Sequence, residues 1–324
     1  MRRELEALIQ KKGCVPAFLS GLQDQSKACP FSENVLQDTR ECMQAWLQSQ
    51  GIKVELDILP DQPFLLDLMS GLLKVCDDPD SDLPSLLKAG VDTGVLEPIP
   101  KSGVWRTNVS VDAPCVELAE CSSNWKSADD DLALAQSLVD EDVNDGFVRE
   151  FKGSLQDAKA KWPRGVAVGK LGIAHAPGRA PRLIMDSTVA GVNPAAVIED
   201  KLFLPGLRDV VDTTDPDDPA TLAFSMDVSK AHKRVRVREA EQGLLLFGLK
   251  GVLYHYVTCH FGATFSAYWW GRCGASLHRL LHRLLWSWHA GFLYVDDWLW
   301  RLCKRVAPLQ ATLLALFLTA LGCP

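Results

Sequence analysis

The chain has 324 residues, 47% of them hydrophobic and 23% charged, with a formal net charge of −7. This is an ordinary globular composition, long enough for two modest domains with real cores. Its ten cysteines include no C-x-x-C pair, which argues against a zinc ribbon or a disulfide framework and makes reduced thiols the expectation.

The amino-terminal MRRELEALIQKKGC has basic residues but no apolar segment or small-residue cleavage site. No secretory signal is read there, and an intracellular location, nuclear or cytoplasmic, is expected. Ser32 is placed to cap a helix through NVLQDTRECMQAWLQSQ to Gly51, because Val35, Leu36, Cys42, Met43, Trp46 and Leu47 recur at helical spacing. PFLLDLMSGLLKVC predicts a second helix, ended by the turn-forming DDPDSD. From about residue 90 to 125 the pattern dissolves into Pro, Gly and Ser punctuation. SADDDLALAQSLVDEDVNDG then predicts another helix with solvated carboxylates. Residues 1–150 therefore read as a mainly helical, acidic region without a motif that carries chemistry.

From residue 151 onward the balance of charge turns positive, which suits either a polyanionic partner or a solvated surface of mixed charge. AVGKLGIAHAPGRAPRLIMDST predicts two strands around a Gly/Pro/His turn, and TLAFSMD a strand ending on Asp227, followed by the basic VSKAHKRVRVR. LLLFGLKGVLYHYVTCHF predicts a hairpin turning at Lys250-Gly251, and ATFSAYWWGRCGASLHRLLHRLLWSWH a long helix. The closing VAPLQATLLALFLTALGCP is apolar, but Gln310 and two threonines interrupt it, so a buried helix is expected and no membrane partner. Strands interleaved with helices make the chain α+β, with α/β as the alternative.

In GFLYVDDWLW, both FLYV and WLW are rich in β-forming residues, so Asp296 and Asp297 fall where a hairpin would turn. Aspartate is also an ordinary turn residue. If the strand ending at Asp227 is a neighbour, three carboxylates converge on one sheet edge and need a cation among them. Hard oxygen ligands suit Mg²⁺, which takes one or two protein carboxylates, and a pair of such ions serves phosphoryl transfer.

YVDD at 294–297 resembles the Y-x-D-D motif of reverse transcriptases, and FSMDVSKAH the strand that bears their other catalytic aspartate. FGATFSA keeps the family's G-x-x-x-S spacing from Gly262 to Ser266, and RLIMD, with Arg182, Asp186 and then Asn193, resembles its fingers strand. The resemblance covers roughly residues 160–324. It implies a polymerase right-hand palm and fingers at 151–324, with an antiparallel sheet carrying the aspartates after the helical region of 1–150. The implied activity is RNA-directed DNA polymerisation on an RNA or DNA template with primer, using dNTPs and two Mg²⁺ ions, with Mn²⁺ as a substitute.

Carried over, the resemblance makes Asp227, Asp296 and Asp297 the catalytic metal-binding carboxylates, with the Val228 carbonyl as a further ligand. Lys170 and Arg182 would neutralise triphosphate charge. His232 stands at the position of the aromatic gate against ribonucleotides, while Phe261, Gly262 and Ser266 line the nucleotide. Phe261 replaces a glutamine frequent in the family, and Ala267 a proline. Lys230, Lys233, Arg234, Arg236, Arg238 and Tyr294 would meet template or primer; alternation at 234, 236 and 238 equally describes a solvated strand face. The chain stops before the family's next lysine motif, primer-gripping hairpin and thumb, so an incomplete polymerase is expected. Three readings stay open: an active polymerase, a remnant that binds nucleic acid without extending primers, and a palm-type nucleotidyl enzyme such as a cyclase. His278 and His282, at i and i+4, read as an ordinary helix surface, and most tryptophans as core. Arg272, Arg279 and Arg283 are weaker candidates for phosphate contact.

Overall fold

The computed structural model describes residues 1–24, 28–59, 62–107, 116–213 and 220–323. The helices are α1 (Arg2–Lys11), α2 (Cys14–Gln23), α3 (Glu33–Ser49), α4 (Leu66–Val75), α5 (Leu83–Ala89), α6 (Lys126–Asp129), α7 (Leu132–Asn144), α8 (Leu155–Lys161), α9 (Val192–Ala195), α10 (Leu207–Asp212), α11 (Thr264–Leu284) and α12 (Ala307–Ala320). The strands are β1 (Val148–Glu150), β2 (Val168–Ala176), β3 (Arg179–Asp186), β4 (Thr221–Asp227), β5 (Leu246–Leu249), β6 (Val252–Tyr256), β7 (His289–Tyr294) and β8 (Asp297–Cys303). The fold is α+β.

Two compact units share the chain, and both are discontinuous. The first joins Met1–Ser85, Phe203–Ser229 and Gly271–Pro324; the second joins Leu86–Leu202 and Lys230–Trp270. The sequence suggested a division near residue 150, and compactness draws the line elsewhere. The apolar stripes of α1, α2 and α3, including Leu5, Ile9, Phe18, Met43 and Leu47, are buried in the first unit, where all three helices pack on α12. They belong with the carboxy-terminal strands for that reason.

α12 is apolar on nearly every side and almost wholly buried, as the expectation of a core helix required. Among the described residues no helix is long and apolar enough to cross a membrane. Gln310 on α12 is fully buried and accepts a hydrogen bond from Ser287 Oγ at 3.0 Å. The first unit's sheet is antiparallel, ordered β4-β8-β7, and it carries the two strands that end at Asp227 and begin at Asp297.

The same unit holds two ion pairs that the sequence reading assigned elsewhere. Arg272, 2% exposed, grips Asp80 through Nε (2.8 Å) and Nη2 (2.6 Å); Arg279 grips Asp78 through Nε and Nη2, both at 2.7 Å. These guanidiniums are committed to carboxylates, which corrects their reading as phosphate contacts. Burial pushes the Asp80 carboxyl up despite Arg272. At Asp78, burial is outweighed by the hydrogen bonds from Arg279 and the Asp80 amide, and its pKa falls.

The second unit is built on a five-stranded mixed sheet, ordered β1-β6-β5-β2-β3, in which β2 and β5 run parallel. β5 and β6 form the expected hairpin, with Lys250 (φ 50°) and Gly251 (φ 79°) as its two turn residues, the positive angles that match strand twist. Ala158, Trp162, Val166, Val168 and Leu246 make a core cluster against that sheet. Trp269, Trp270, Trp298 and Trp300 are all fully buried, so core packing claims these four tryptophans.

Truncating Arg272 to alanine leaves Asp80 charged and buried without its partner. We predict a loss of about 3–5 kcal/mol in urea-denaturation stability, whereas Arg208→Ala, on a surface pair, costs under about 1 kcal/mol.

Candidate active site

In the first unit, β4 and β8 pair so that Asp227 and Asp297 are direct cross-strand partners, and β7 and β8 pair so that Tyr294 faces Asp297. Partners in an antiparallel ladder share a face. Asp227, Asp297 and Tyr294 therefore project from one face of the sheet, and all three are exposed, Tyr294 by 58%. Asp296 sits in the two-residue turn and is half-buried.

That turn is strained. Val295 has φ 58°, a left-handed conformation that a β-branched residue adopts only when its surroundings impose it, at a cost of about 1–3 kcal/mol. The ladder on either side imposes it: Tyr294 must still face Asp297 with only two residues between them. The turn thereby offers Asp296 and Asp297 in succession at the end of the sheet that also carries Asp227.

The opposite face of the same strands is apolar. Trp298, Trp300 and Leu302 are at most 1% exposed, and Gly291 lacks a Cβ where one would lie 2.5 Å from the Trp300 ring. The Trp300 ring also lies within 4.9–6.2 Å of His278, His282 and His289. These imidazoles form a chain: His278 Nε2 to His282 Nε2 at 3.1 Å, His282 Nδ1 to His289 Nε2 at 3.0 Å, and His289 Nδ1 to the Ser287 carbonyl at 2.8 Å. With every ring neutral, each donor meets an acceptor. His278 and His282 thus lie behind the hairpin, correcting their reading as plain helix surface. Burial lowers the pKa of both to about 4, helped by the neighbouring imidazoles.

Directly opposed carboxylates on a sheet repel, and hard oxygen donors are the chemistry that Mg²⁺ accepts from one or two protein carboxylates. Asp227 and Asp297 are a directly opposed pair of such donors. Among the described residues no three His, Cys, Asp or Glu side chains gather into a metal site. Val228, next after Asp227, is 4% exposed. Arg301, on the carboxylates' face by its register with Ala223, directs its guanidinium to the Thr213 carbonyl and to Thr221 Oγ1.

In the second unit, Arg182, His232 and Phe261 meet. The Arg182 guanidinium lies 5.8 Å from the centre of the Phe261 ring, and the His232 ring 5.3 Å from it. A small cleft of about 210 Å³ is lined by Arg179, Arg182, Ile184 and Phe261. Gly262 has φ 108°, and a Cβ there would lie 2.1 Å from the Met185 carbonyl, so only glycine lets the chain pass β3. Asn193 fastens this corner: its Nδ2 donates to the Gly262 carbonyl at 2.7 Å and its Oδ1 accepts from the Thr264 amide at 2.9 Å. Ser266 is buried, and its hydroxyl accepts from the His260 amide at 3.0 Å, which makes it a brace for the first turn of α11.

Lys170, on β2, lies over Trp125 with Nζ 5.0 Å from the ring centre, and Trp125 Nε1 donates to Asp186 at 3.2 Å. A second cleft, about 390 Å³, is lined by Trp125, Ser127, Ile173, Asp186 and Gly262. Nothing in the sequence pointed to Trp125, since it stands in an unpatterned stretch far from β2.

The basic stretch divides. Val235 and Val237 are buried while Arg234, Arg236 and Arg238 are half-buried, but Arg234 closes a 3-10 helix over Ala231–Arg234, so no continuous strand carries the three arginines as the alternation suggested. Arg238 pairs with Asp92 at 2.8 Å. Lys233 is 8% exposed, and its ammonium holds both oxygens of Asp142, at 2.5 and 2.7 Å. Lys230 pairs with Glu141 at 2.7 Å and with Asp145. The carboxylates on α7, expected to be solvated, are partly consumed in this way, because Asp142 also accepts from Tyr256 Oη at 3.1 Å.

No protein-family model matches the chain, and no curated protein matches it. Among solved structures it is similar to the native crystal structure of prototype foamy virus protease-reverse transcriptase, at 13% identity and a TM-score of 0.41, over 62% of this chain and 24% of that one. It is also similar to the foamy viral protease-reverse transcriptase dRH in complex with ds DNA (13%, TM-score 0.46, 83% of this chain and 43% of that one). A third similar structure is the foamy viral protease-reverse transcriptase in complex with dsDNA (12%, TM-score 0.43, 73% and 44%). The chain thus spans less than half the length of each. At identities and scores this low, the functional argument rests on the chain's own residues.

Two predictions follow from this geometry. His278 and His282 stay neutral in the fold down to about pH 4 but take up a proton in the unfolded chain near their ordinary value of 6.5. Their contribution to stability is therefore complete above pH 6.5 and lost as the pH falls toward 4. His255 and His260, also held near 4 by burial, add to that slope. Thermal unfolding between pH 7.5 and 4.5 should show the decline, and His282→Gln should flatten it. Gly262→Ala, forcing a methyl into the Met185 carbonyl, should cost more than about 3 kcal/mol by the same measurement.

Proposed function

We propose that this chain is a template-directed nucleotidyl transferase of the reverse-transcriptase type, with the sheet β4-β8-β7 as palm and the sheet of the second unit as fingers. One observation carries the reading. Asp227 and Asp297 are directly opposed on the exposed face of a three-stranded antiparallel sheet, beside a strained Y-V-D-D turn that adds Asp296. An isolated turn aspartate needs no such strain and no opposed carboxylate.

In this reading the opposed pair Asp227 and Asp297 would hold Mg²⁺, or Mn²⁺ in its place, with Asp296 and the Val228 carbonyl as the further ligands that the resemblance implies. The bound ions supply charge stabilisation for the attacking primer 3′-hydroxyl and for the departing pyrophosphate. The other residues of the chain serve binding. Arg182, ordered against Phe261, and Lys170, ordered against Trp125, offer a planar fork and a compact ammonium to triphosphate oxygens. His232 beside Phe261 limits what the sugar carries. Gly262 and Ser266 serve by shaping the backbone that presents Phe261. Tyr294, which is exposed, and the half-buried Arg234 and Arg236 would meet the backbone of an RNA or DNA template and its primer, whereas Lys233 is spent on Asp142. A cyclase would need no template-facing surface of this kind.

Primer extension on RNA and DNA templates with Mg²⁺ or Mn²⁺ tests the proposal. Metal-dependent extension is expected, falling to background in Asp227→Asn and in Asp296→Asn/Asp297→Asn. Binding of primer-template that weakens with salt, with no extension under either metal, would replace this reading with that of a binding-only remnant.

A further inference from the structure

Helix α7 ends in the wrong charge. Its last turn and cap carry Asp140, Glu141, Asp142 and Asp145, with no basic residue in the last turn. Negative charge is disfavoured at a helix carboxy terminus, where the backbone dipole is itself negative. The compensation comes from the stretch that begins three residues after Asp227. Lys230 and Lys233 direct their ammoniums at this terminus, and both lie over the Phe147 ring, at 5.7 and 5.6 Å from its centre.

The two lysines are held differently. Lys233 is buried with Asp142, which also receives Tyr256 Oη, so releasing it would leave a charge without solvent. Lys230 is 34% exposed, and its partners Glu141 and Asp145 are 57% and 38% exposed. Water and salt reach this cluster, and pairs of that kind exchange at little cost. Burial opposes the Lys230 charge, but the hydrogen bonds from its ammonium to Asp145 and Glu141 outweigh it, so the group stays cationic with a raised pKa. Lys230 is also fixed in a left-handed conformation, φ 54°, which aims its side chain without help from a regular strand.

We propose that the end of α7 is an intramolecular polyanion that occupies Lys230 in place of a nucleic-acid backbone phosphate, so that Glu141 and Asp145 form a latch which bound template or primer must displace. The inference rests on the reading that this chain binds nucleic acid. Carboxylate and phosphate oxygens present the same chemistry to an ammonium, and an exchange between them releases no buried charge. Lys233 anchors the helix while Lys230 changes partner. The latch tempers binding and adds to its dependence on salt.

The test compares four proteins of full chain length: the unchanged chain, Glu141→Gln/Asp145→Asn, Lys230→Ala, and the triple variant combining them. A labelled primer-template duplex reports affinity by anisotropy across a salt series, and thermal unfolding confirms that each variant folds. The amide variant is expected to bind about three- to tenfold tighter at low salt, and its plot of log K against log salt should steepen by about one unit, the signature of one added phosphate contact. The gain should vanish in the triple variant. Equal affinity and slope for the unchanged chain and the amide variant would overturn the latch while leaving nucleic-acid binding intact. A gain that persists without Lys230 would overturn it too, as a general effect of lowered negative charge. Absence of binding by all four proteins would overturn both the latch and the reading on which it rests.

Discussion

Two carboxylates directly opposite one another on neighbouring strands repel, and the first unit is arranged to keep them there. Asp227 and Asp297 face solvent on one side of a sheet only three strands wide. What holds the sheet in register is its other side, where Trp298, Trp300 and Leu302 are sealed from water and the histidine chain lies against the Trp300 ring. A slip of one residue would turn the tryptophans outward and the aspartates inward, which makes that register the only affordable one. The left-handed Val295 is the local expression of the same constraint. The ladders of β7 and β8 are worth more together than the turn costs, so the turn yields.

Charge is handled in two ways across the chain. Several buried carboxylates have a cation that matches them: Arg272 on Asp80, Arg279 on Asp78, Lys233 on Asp142. Asp200 and Glu241 are buried against hydroxyl and amide donors, from Ser102 and Tyr268 and from Thr93. Breaking one of the ion pairs is costly because the survivor has no water to turn to. Where charges are exposed, as at Asp297 and at the Lys230 cluster, exchange with an outside ion or phosphate stays cheap. A basic run in the sequence thus divides into anchors and available groups, and burial alone draws that division. Lys230 and Lys233 stand three residues apart and fall on different sides of it.

The second unit shows how a short motif is made useful by a distant one. Phe261 brings together Arg182 from β3 and His232 from the segment after β4, while Gly262 and Asn193 lock the corner at which α11 starts. Ser266 serves this corner through the backbone and not through a cleft. Its hydroxyl is in the core, so the spacing of glycine and serine reflects how the turn is built.

Much of this was legible in the chain of letters. Apolar runs rich in β-forming residues marked the strands, the Lys250-Gly251 turn followed from what a two-residue hairpin demands, helical spacing of apolar residues located α3, and longer apolar stretches located α4, α11 and the buried α12, because these are local consequences of backbone geometry. The aspartates at 227, 296 and 297 could be picked out for a similar reason: a charged residue at the end of an apolar strand is conspicuous in one dimension. What only the tertiary structure decided is which charges meet. No local rule says that Lys233 is cancelled by a helix ninety residues earlier, that Arg272 and Arg279 answer Asp80 and Asp78, that Lys170 lies on Trp125, or that helices before residue 85 share a core with strands after 220. Those pairings depend on distance in space, which the sequence encodes only through the packing of the whole chain.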